Sequence, residues 1–497
     1  MKQSEPAGEN RRSMSRALLT RPEWVILLCL LSVAPFLLTF WVHGDGIGYA
    51  AYLRSAVIDR DLRLSNEYEH LSSHIKADAS GLPSSFLRRS STRVGIDPVW
   101  HLPRPDPVTG RVPSYFSIGP AIAWAPAYVA AHALTLLAAA RGAAVRPDGY
   151  GGLYYLAIVL SSFAFGLAGL ILAFRIASLT TPPREALWSV LTIGWATPVV
   201  YYLYLAASYG HPLTMFTSAA FFLYWWRTRH TDRPVTWLRW GLLAGVLFLV
   251  RWNDVVLAAP AFGIEAIRLL TRRGARPGPS GLRQLLACTG AALAGFLLVA
   301  SPQLAVWQYF HGRPWIRHPL DLVRLDPWAS WKMLVSARHG LFVWTPVAVP
   351  ALAGLFCLLR RNRELAGASL AALLLLVASN SIVEDWWGGS SFGARRLVSG
   401  TPFLVLGLAV FFADARRLLE RWGTRGLPET PGRARVVTGR LVAPLVSMVF
   451  IGWNLLLMAQ YALGMISHME AVSFAVMAAN QPKVLARLIQ LAGEITK

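Results

Sequence analysis

Asp45 stands in His43-Gly44-Asp45-Gly46, directly after an apolar run over residues 24–42 that is long enough to cross a bilayer. A basic N-terminal segment lies before that run, so the aspartate emerges on the opposite side. The polar stretch behind it carries Tyr49, Arg54, Asp59, Asp61, Asn66, Glu67 and Tyr68. Later segments repeat the mixture: Ser208-Tyr209-Gly210-His211, Arg251-Trp252-Asn253-Asp254, Ser336-Ala337-Arg338-His339-Gly340, and the stretch from Glu384 to Arg396. A carboxylate, Asp45 with Glu67 in reserve, can take a proton from a hydroxyl. Guanidiniums at Arg251, Arg338, Arg395 and Arg396 can hold a phosphate bidentately and stabilise it as it leaves. Rings at Tyr49, His211, His339, Trp386 and Trp387 can contact a sugar or acceptor, the indoles by stacking. Gly388-Gly389 and Gly393 would let the main chain approach a ligand. Each residue also has a plainer reading: Asp45 or His211 as a helix cap, Arg251 as the partner of Asp254, the two tryptophans as membrane-interface residues.

Segments that position these residues must be membrane helices. The 497-residue chain is 55% apolar and 15% charged, with a mean hydropathy of +0.43. Apolar runs recur at 24–42, 151–174, 186–205, 212–226, 285–309, 343–359, 365–383, 397–413 and 441–463. A run at 240–270 is interrupted by Arg251-Trp252-Asn253-Asp254, and one at 117–140 carries Pro120 and Pro126. The net charge of +22 comes from arginines in short loops, where they set orientation and do not mark a nucleic-acid site. If 117–140 stays on the outer face and 240–270 is a broken hairpin, the inner loops after the first span hold 21 Lys and Arg, against 11 in the outer segments after residue 150. If 117–140 crosses, that bias inverts.

The expected chain is therefore an all-α polytopic membrane protein with about 11 crossings. Residues 1–22 form a cytoplasmic tail, 23–42 the first transmembrane helix, 43–150 a large outer loop with juxtamembrane helices, 151–463 the remaining bundle and 464–497 an outer tail. The run at 24–42 reads as a retained anchor, since it is too long for a signal peptide and lacks a small-residue cleavage site. In the hairpin, residues 240–250 would make about 16 Å of helix, leaving Arg251 and Asp254 in or near the outer leaflet. A charge there costs about 2.5–3.5 kcal/mol and needs a partner or water. Residues 274–281 and 423–435 read as inner connectors.

Cys29, Cys288 and Cys357 all lie in apolar runs, so no loop disulfide is expected. No phosphate-binding loop, dinucleotide fingerprint or His/Cys metal pattern is present. Asp45 is followed by glycine where a carboxylate cage would need a second acid; no cofactor is required, and a divalent cation is poorly supported.

The order and spacing of Gly44-Asp45-Gly46-Ile47-Gly48-Tyr49, the stretch Tyr115 to Pro126, the loop with Ser208 and His211, Arg251, residues 336–345 and residues 386–396 resemble the bacterial membrane glycosyltransferases of the C-type superfamily. That superfamily includes the protein O-mannosyltransferases and the aminoarabinose transferase of lipid A. The resemblance covers roughly residues 24–413. It implies a polyprenyl-phosphate sugar donor, transfer of a hexose or pentose on the periplasmic side of the inner membrane with inversion, and Asp45 as base. Many members carry a second acid beside that aspartate, where this chain has Gly46. The acceptor, whether glycolipid, polysaccharide or protein, is left open. Two rivals come from other classes: a transporter or flippase of lipid-linked glycans, which would favour mid-span polar residues and paired repeats, and a non-catalytic assembly subunit.

Overall fold

A computed structural model describes residues 19–73, 105–271, 279–315, 326, 328–383, 385–422 and 432–495. Glu384, and parts of the first outer loop and of both inner connectors, lie outside the described residues. Within them the chain is all-helical, with no β-sheet. The helices used below are α1 (Arg21–Leu31), α2 (Asp45–Arg54), α3 (Ser65–Ser73), α4 (Gly119–Ala140), α5 (Gly152–Ala177), α6 (Pro183–Trp195), α7 (His211–Thr228), α8 (Pro234–Val250), α9 (Ala259–Thr271), α10 (Pro279–His311), α11 (Ala348–Leu358), α12 (Arg363–Ser381), α13 (Thr401–Trp422), α14 (Gly432–Ala462) and α15 (Phe474–Ile495). Among the described residues, six stretches are long and apolar enough to cross a membrane: Gly119–Ala140, Gly152–Ala177, Gly281–His311, Arg363–Ser381, Arg395–Arg421 and Gly439–Ala462. Pro234–Val250 and Ala348–Leu358 are shorter apolar helices.

Small residues set how closely these helices meet. A Cβ on Gly354 of α11 would lie 1.9 Å from the Gly407 carbonyl oxygen of α13, and one on Gly241 of α8 would lie 1.9 Å from the Ala292 carbonyl oxygen of α10. Such backbone contact is how membrane helices gain packing energy where lipid is as apolar as the side chains.

Polar contacts sort the helix ends into two faces. On one, Glu23 before α1's second turn pairs with Arg175 at 2.6 Å, Arg416 of α13 with Glu185 of α6 at 2.9 Å, and Arg361 with Asp414 at 2.6 Å. Arg229 meets Glu364 at 3.0 Å, and Arg184 donates to the Arg440 carbonyl. These are the segments that the arginine distribution assigns to the inner side. The interrupted run is a hairpin: α8 leaves the His230 loop, and α9 returns to it, where Glu265 accepts from the His230 N–H at 2.8 Å and Arg268 donates to the Thr231 carbonyl. Its first leg is longer than the apolar run alone indicates. The helix starts at Pro234, because Trp237 buries with Trp240; its 17 residues span about 26 Å.

The other face differs from the sequence expectation in one consistent way. Several apolar runs are not helical to their outer ends. The first run breaks as helix at Leu31, resumes for one turn over Ala34–Leu37, and is extended from Leu38, with the Thr39 N–H and hydroxyl bonded to the carbonyls of Tyr204 and Leu205. α6 ends at Trp195, before Pro198. The run at 343–359 breaks at Pro346, and that at 397–413 begins as a 3₁₀ turn over Arg395–Gly400. Proline removes a backbone donor and ends helices. Unwound backbone at membrane depth is tolerated where protein satisfies its polar groups, and here the unwound ends satisfy one another.

Candidate functional site

The unwound ends converge around Asp45. Gly44 precedes α2 with φ +53°, and a Cβ there would sit 1.8 Å from the Tyr209 hydroxyl oxygen. A Cβ on Gly46 would lie 2.5 Å from Ser208 Oγ and 2.9 Å from the Ser208 carbonyl oxygen. The start of α2 is therefore pressed onto the loop at 206–211, and a second acid after Asp45 has no room. His43 adds two contacts to the same loop, its N–H to Ser208 Oγ at 3.4 Å and Nε2 with the Leu205 carbonyl at 3.3 Å. This packing delivers the Asp45 carboxylate to Arg395, 2.7 Å away, with both side chains 13% exposed. Gly388, at φ +85°, leaves space for the arginine stem: a Cβ there would be 2.9 Å from Arg395 Nε.

Aromatic rings wall this pair. The Arg395 guanidinium lies 5.6 Å from the Tyr209 ring centroid, Tyr202 packs 5.7 Å from Tyr209, and His211 lies 4.5 Å from Tyr202 and 6.2 Å from Tyr209. Tyr49, one turn past Asp45, packs on Phe116 and edge-on to Trp124, with its hydroxyl near Gly210. Both ring nitrogens of His211 are buried without a hydrogen-bond partner.

Arg251 and Arg396 lie beside it. Arg251 donates to the Arg396 carbonyl at 3.3 Å and to Asn380 Oδ1 at 3.1 Å, and Asn253 shares that amide at 2.8 Å. The plainer alternative, an ion pair of Arg251 with Asp254, does not form; Asp254 turns its buried carboxylate to the Ser399 hydroxyl at 3.1 Å. Arg396 is held by the side chain and main chain of Asp385. The electrostatic influence of Arg251, Arg395 and Arg396 reaches His211 together.

Arg338 and His339 occupy the rim. Arg338 stacks 3.8 Å from the Trp387 ring and donates to the Met469 carbonyl at 2.6 Å, tying the loop to the C-terminal tail. His339, at φ +57°, shares Nδ1 between the Trp387 carbonyl and Ser391. Burial pushes its imidazole down to about 4, so it is neutral at pH 7. Trp386 meets Trp387 edge-on at 5.8 Å and packs into the core.

Glu67 is not brought to Asp45. It pairs with Arg54 at 2.8 Å, and Arg54 lies nine positions along α2 from Asp45, about 13.5 Å of helix. Arg54 also holds Asp59 at 2.5 Å and lies 4.5 Å over the Tyr150 ring. The carboxyl of Glu67 is pushed up to about 7, chiefly by burial, which outweighs a guanidinium it must share. Its place is at the opposite end of α2, pinning that helix.

Tyr202, Tyr209 and Asn380 are site residues that the motif analysis left unassigned. Tyr202 and Asn380 lie in runs that read as ordinary spans, and the one sequence signal for Tyr202 was Pro198 within its run. Among the described residues, one group of histidine and carboxylates is close enough to hold an ion: His230, Glu265 and Glu364. It lies at the face that carries the Glu23–Arg175 and Arg416–Glu185 pairs, away from Asp45, and both glutamates already accept from arginines. At Asp45 the nearest carboxylate ligand position is taken by Gly46, which does not fit a carboxylate cage.

No protein-family model matches this chain, and no curated protein matches it. Among solved structures, the crystal structure of ArnT from Cupriavidus metallidurans in the apo state is similar over 93% of this chain and 75% of that one, with a TM-score of 0.42 and 15% sequence identity. A likeness that distant assigns no residue a role.

Proposed function

We propose that this chain is a membrane glycosyltransferase of C-type architecture that moves a sugar from a polyprenyl-phosphate donor to a hydroxyl at the outer face of the inner membrane. The observation that carries this reading is the meeting of one proton acceptor, Asp45, with Arg395, Arg251 and Arg396 where the unwound spans converge. The polar groups that could meet a ligand collect around Asp45, whereas Glu23–Arg175, Arg229–Glu364 and Arg416–Glu185 join helix ends at the other face. The long helix α4 lies along the outer surface in this reading. Gly119 abuts the outer end of α8 at Leu249, while Tyr128 and His132, up to about 20 Å further along, meet Gly149 and Tyr154 at the outer start of α5.

In the step, the acceptor hydroxyl gives its proton to the Asp45 carboxylate as its oxygen attacks the anomeric carbon. The bond from that carbon to the phosphate oxygen breaks, its electron pair leaves with polyprenyl phosphate, and configuration inverts. Guanidiniums of Arg251 and the 395–396 pair stabilise the departing phosphate. Tyr49, Tyr209 and His211 flank the sugar, with Trp386, Trp387 and His339 at the acceptor side. A general base contributes typically about 10²–10⁴-fold, so Asp45→Asn lowers turnover by that factor in a transfer assay on purified protein with lipid-linked donor. The donor is identified by mass spectrometry of glycolipids from cells lacking the protein. Near-normal turnover by Asp45→Asn ends the assignment.

A further inference from the structure

The arginines of the site differ in what they would have to give up. Arg396 is bound by the Asp385 carboxylate and carbonyl. Arg251 is held by neutral acceptors, the Arg396 carbonyl and Asn380. Arg395 is held by Asp45, the very group that must be free to accept a proton. His211, close enough to Arg251 and Arg395 to feel their charge, is 95% buried and its two ring nitrogens have no partner, so a phosphate seated between these arginines would meet it. That phosphate competes with Asp45 for Arg395.

We infer that the Asp45–Arg395 ion pair is a donor-sensing latch: an incoming phosphate monoester or diester takes Arg395, and only then is the Asp45 carboxylate released to act on the acceptor. The inference rests on the phosphate site proposed above and adds the order of events. Two features make the exchange feasible. The Arg395 stem runs past Gly388, whose missing side chain leaves it space. Asp45 is the first residue of the ten-residue helix α2, so its carboxylate keeps the favourable field of a helix N-terminus when the guanidinium departs.

A competitor that must be displaced weakens binding, so its removal strengthens binding. A hydrogen bond to a charged group contributes enough that the gain is about tenfold to hundredfold. The test is equilibrium binding of a short-chain polyprenyl phosphate to the full-length protein in detergent. Asp45→Asn should bind it about ten to a hundred times more tightly than wild type, with Asp45→Ser as the alternative if the asparagine variant does not fold. Arg395→Ala should bind more weakly, and adding Asp45→Asn to it should give no gain. If Asp45→Asn binds no tighter while Arg395→Ala is weakened, the latch is wrong and the phosphate site stands. A gain that persists in the double variant is a general charge effect and also overturns the latch. Unchanged binding in both Arg251→Ala and Arg395→Ala removes the phosphate site itself.

Discussion

Replacing Glu67 by glutamine should change how stability depends on pH, because burial has moved this carboxyl out of its ordinary range. The side chain is fully buried, one oxygen accepts from Arg54, and the other has no partner. Its pKa rises from 4.5 to about 7. At 1.36 kcal/mol per pKa unit this corresponds to about 3 kcal/mol. The sign follows from linkage. Below pH 4.5 the folded and unfolded chains both carry the protonated acid, and nothing is lost. Between 4.5 and 7 the unfolded chain ionises while the folded one resists, so stability falls as pH rises and stays low above 7. Glu67→Gln keeps the shape and the acceptor for Arg54 but has no proton to lose. Its melting temperature, measured in detergent by tryptophan fluorescence, should approach or exceed that of wild type at pH 8 and lose its relative advantage toward pH 4.5. Because α3 pins the far end of α2, wild-type activity should soften over the same interval. Parallel melting curves for the two proteins between pH 4.5 and 8 would refute the reasoning.

Two further outcomes are expected. Gly46→Ala places a Cβ 2.5 Å from Ser208 Oγ; overpacking of this kind costs about 1–3 kcal/mol, and the shift of Asp45 should lower turnover more than stability, read by comparing thermal unfolding with transfer assays. A periplasmic reporter fused after Gly110 and another after Val145 should both report outside, and one at Thr231 inside; opposite locations for the first two would show that α4 crosses.

Much of the architecture was legible in the chain because bilayer insertion depends on local composition. Apolar length marked the candidate spans, and arginines in short loops gave the expected orientation, since each loop meets lipid and water independently of what it later packs against. The two-faced sorting of ion pairs such as Glu23–Arg175 and Arg229–Glu364 agrees with that reading, and the break at Arg251 was visible as charge inside an apolar run. Hydropathy is blind to whether an apolar residue is helical, so the unwinding after Leu31, before Tyr201 and at Pro346 could be suspected only from the prolines. Pairing across 350 residues, as between Asp45 and Arg395, depends on which unwound ends satisfy each other's backbone groups. Only the tertiary structure decided that Arg395 meets Asp45 while Glu67, much nearer in the chain, is carried by helix rise to the other end of α2.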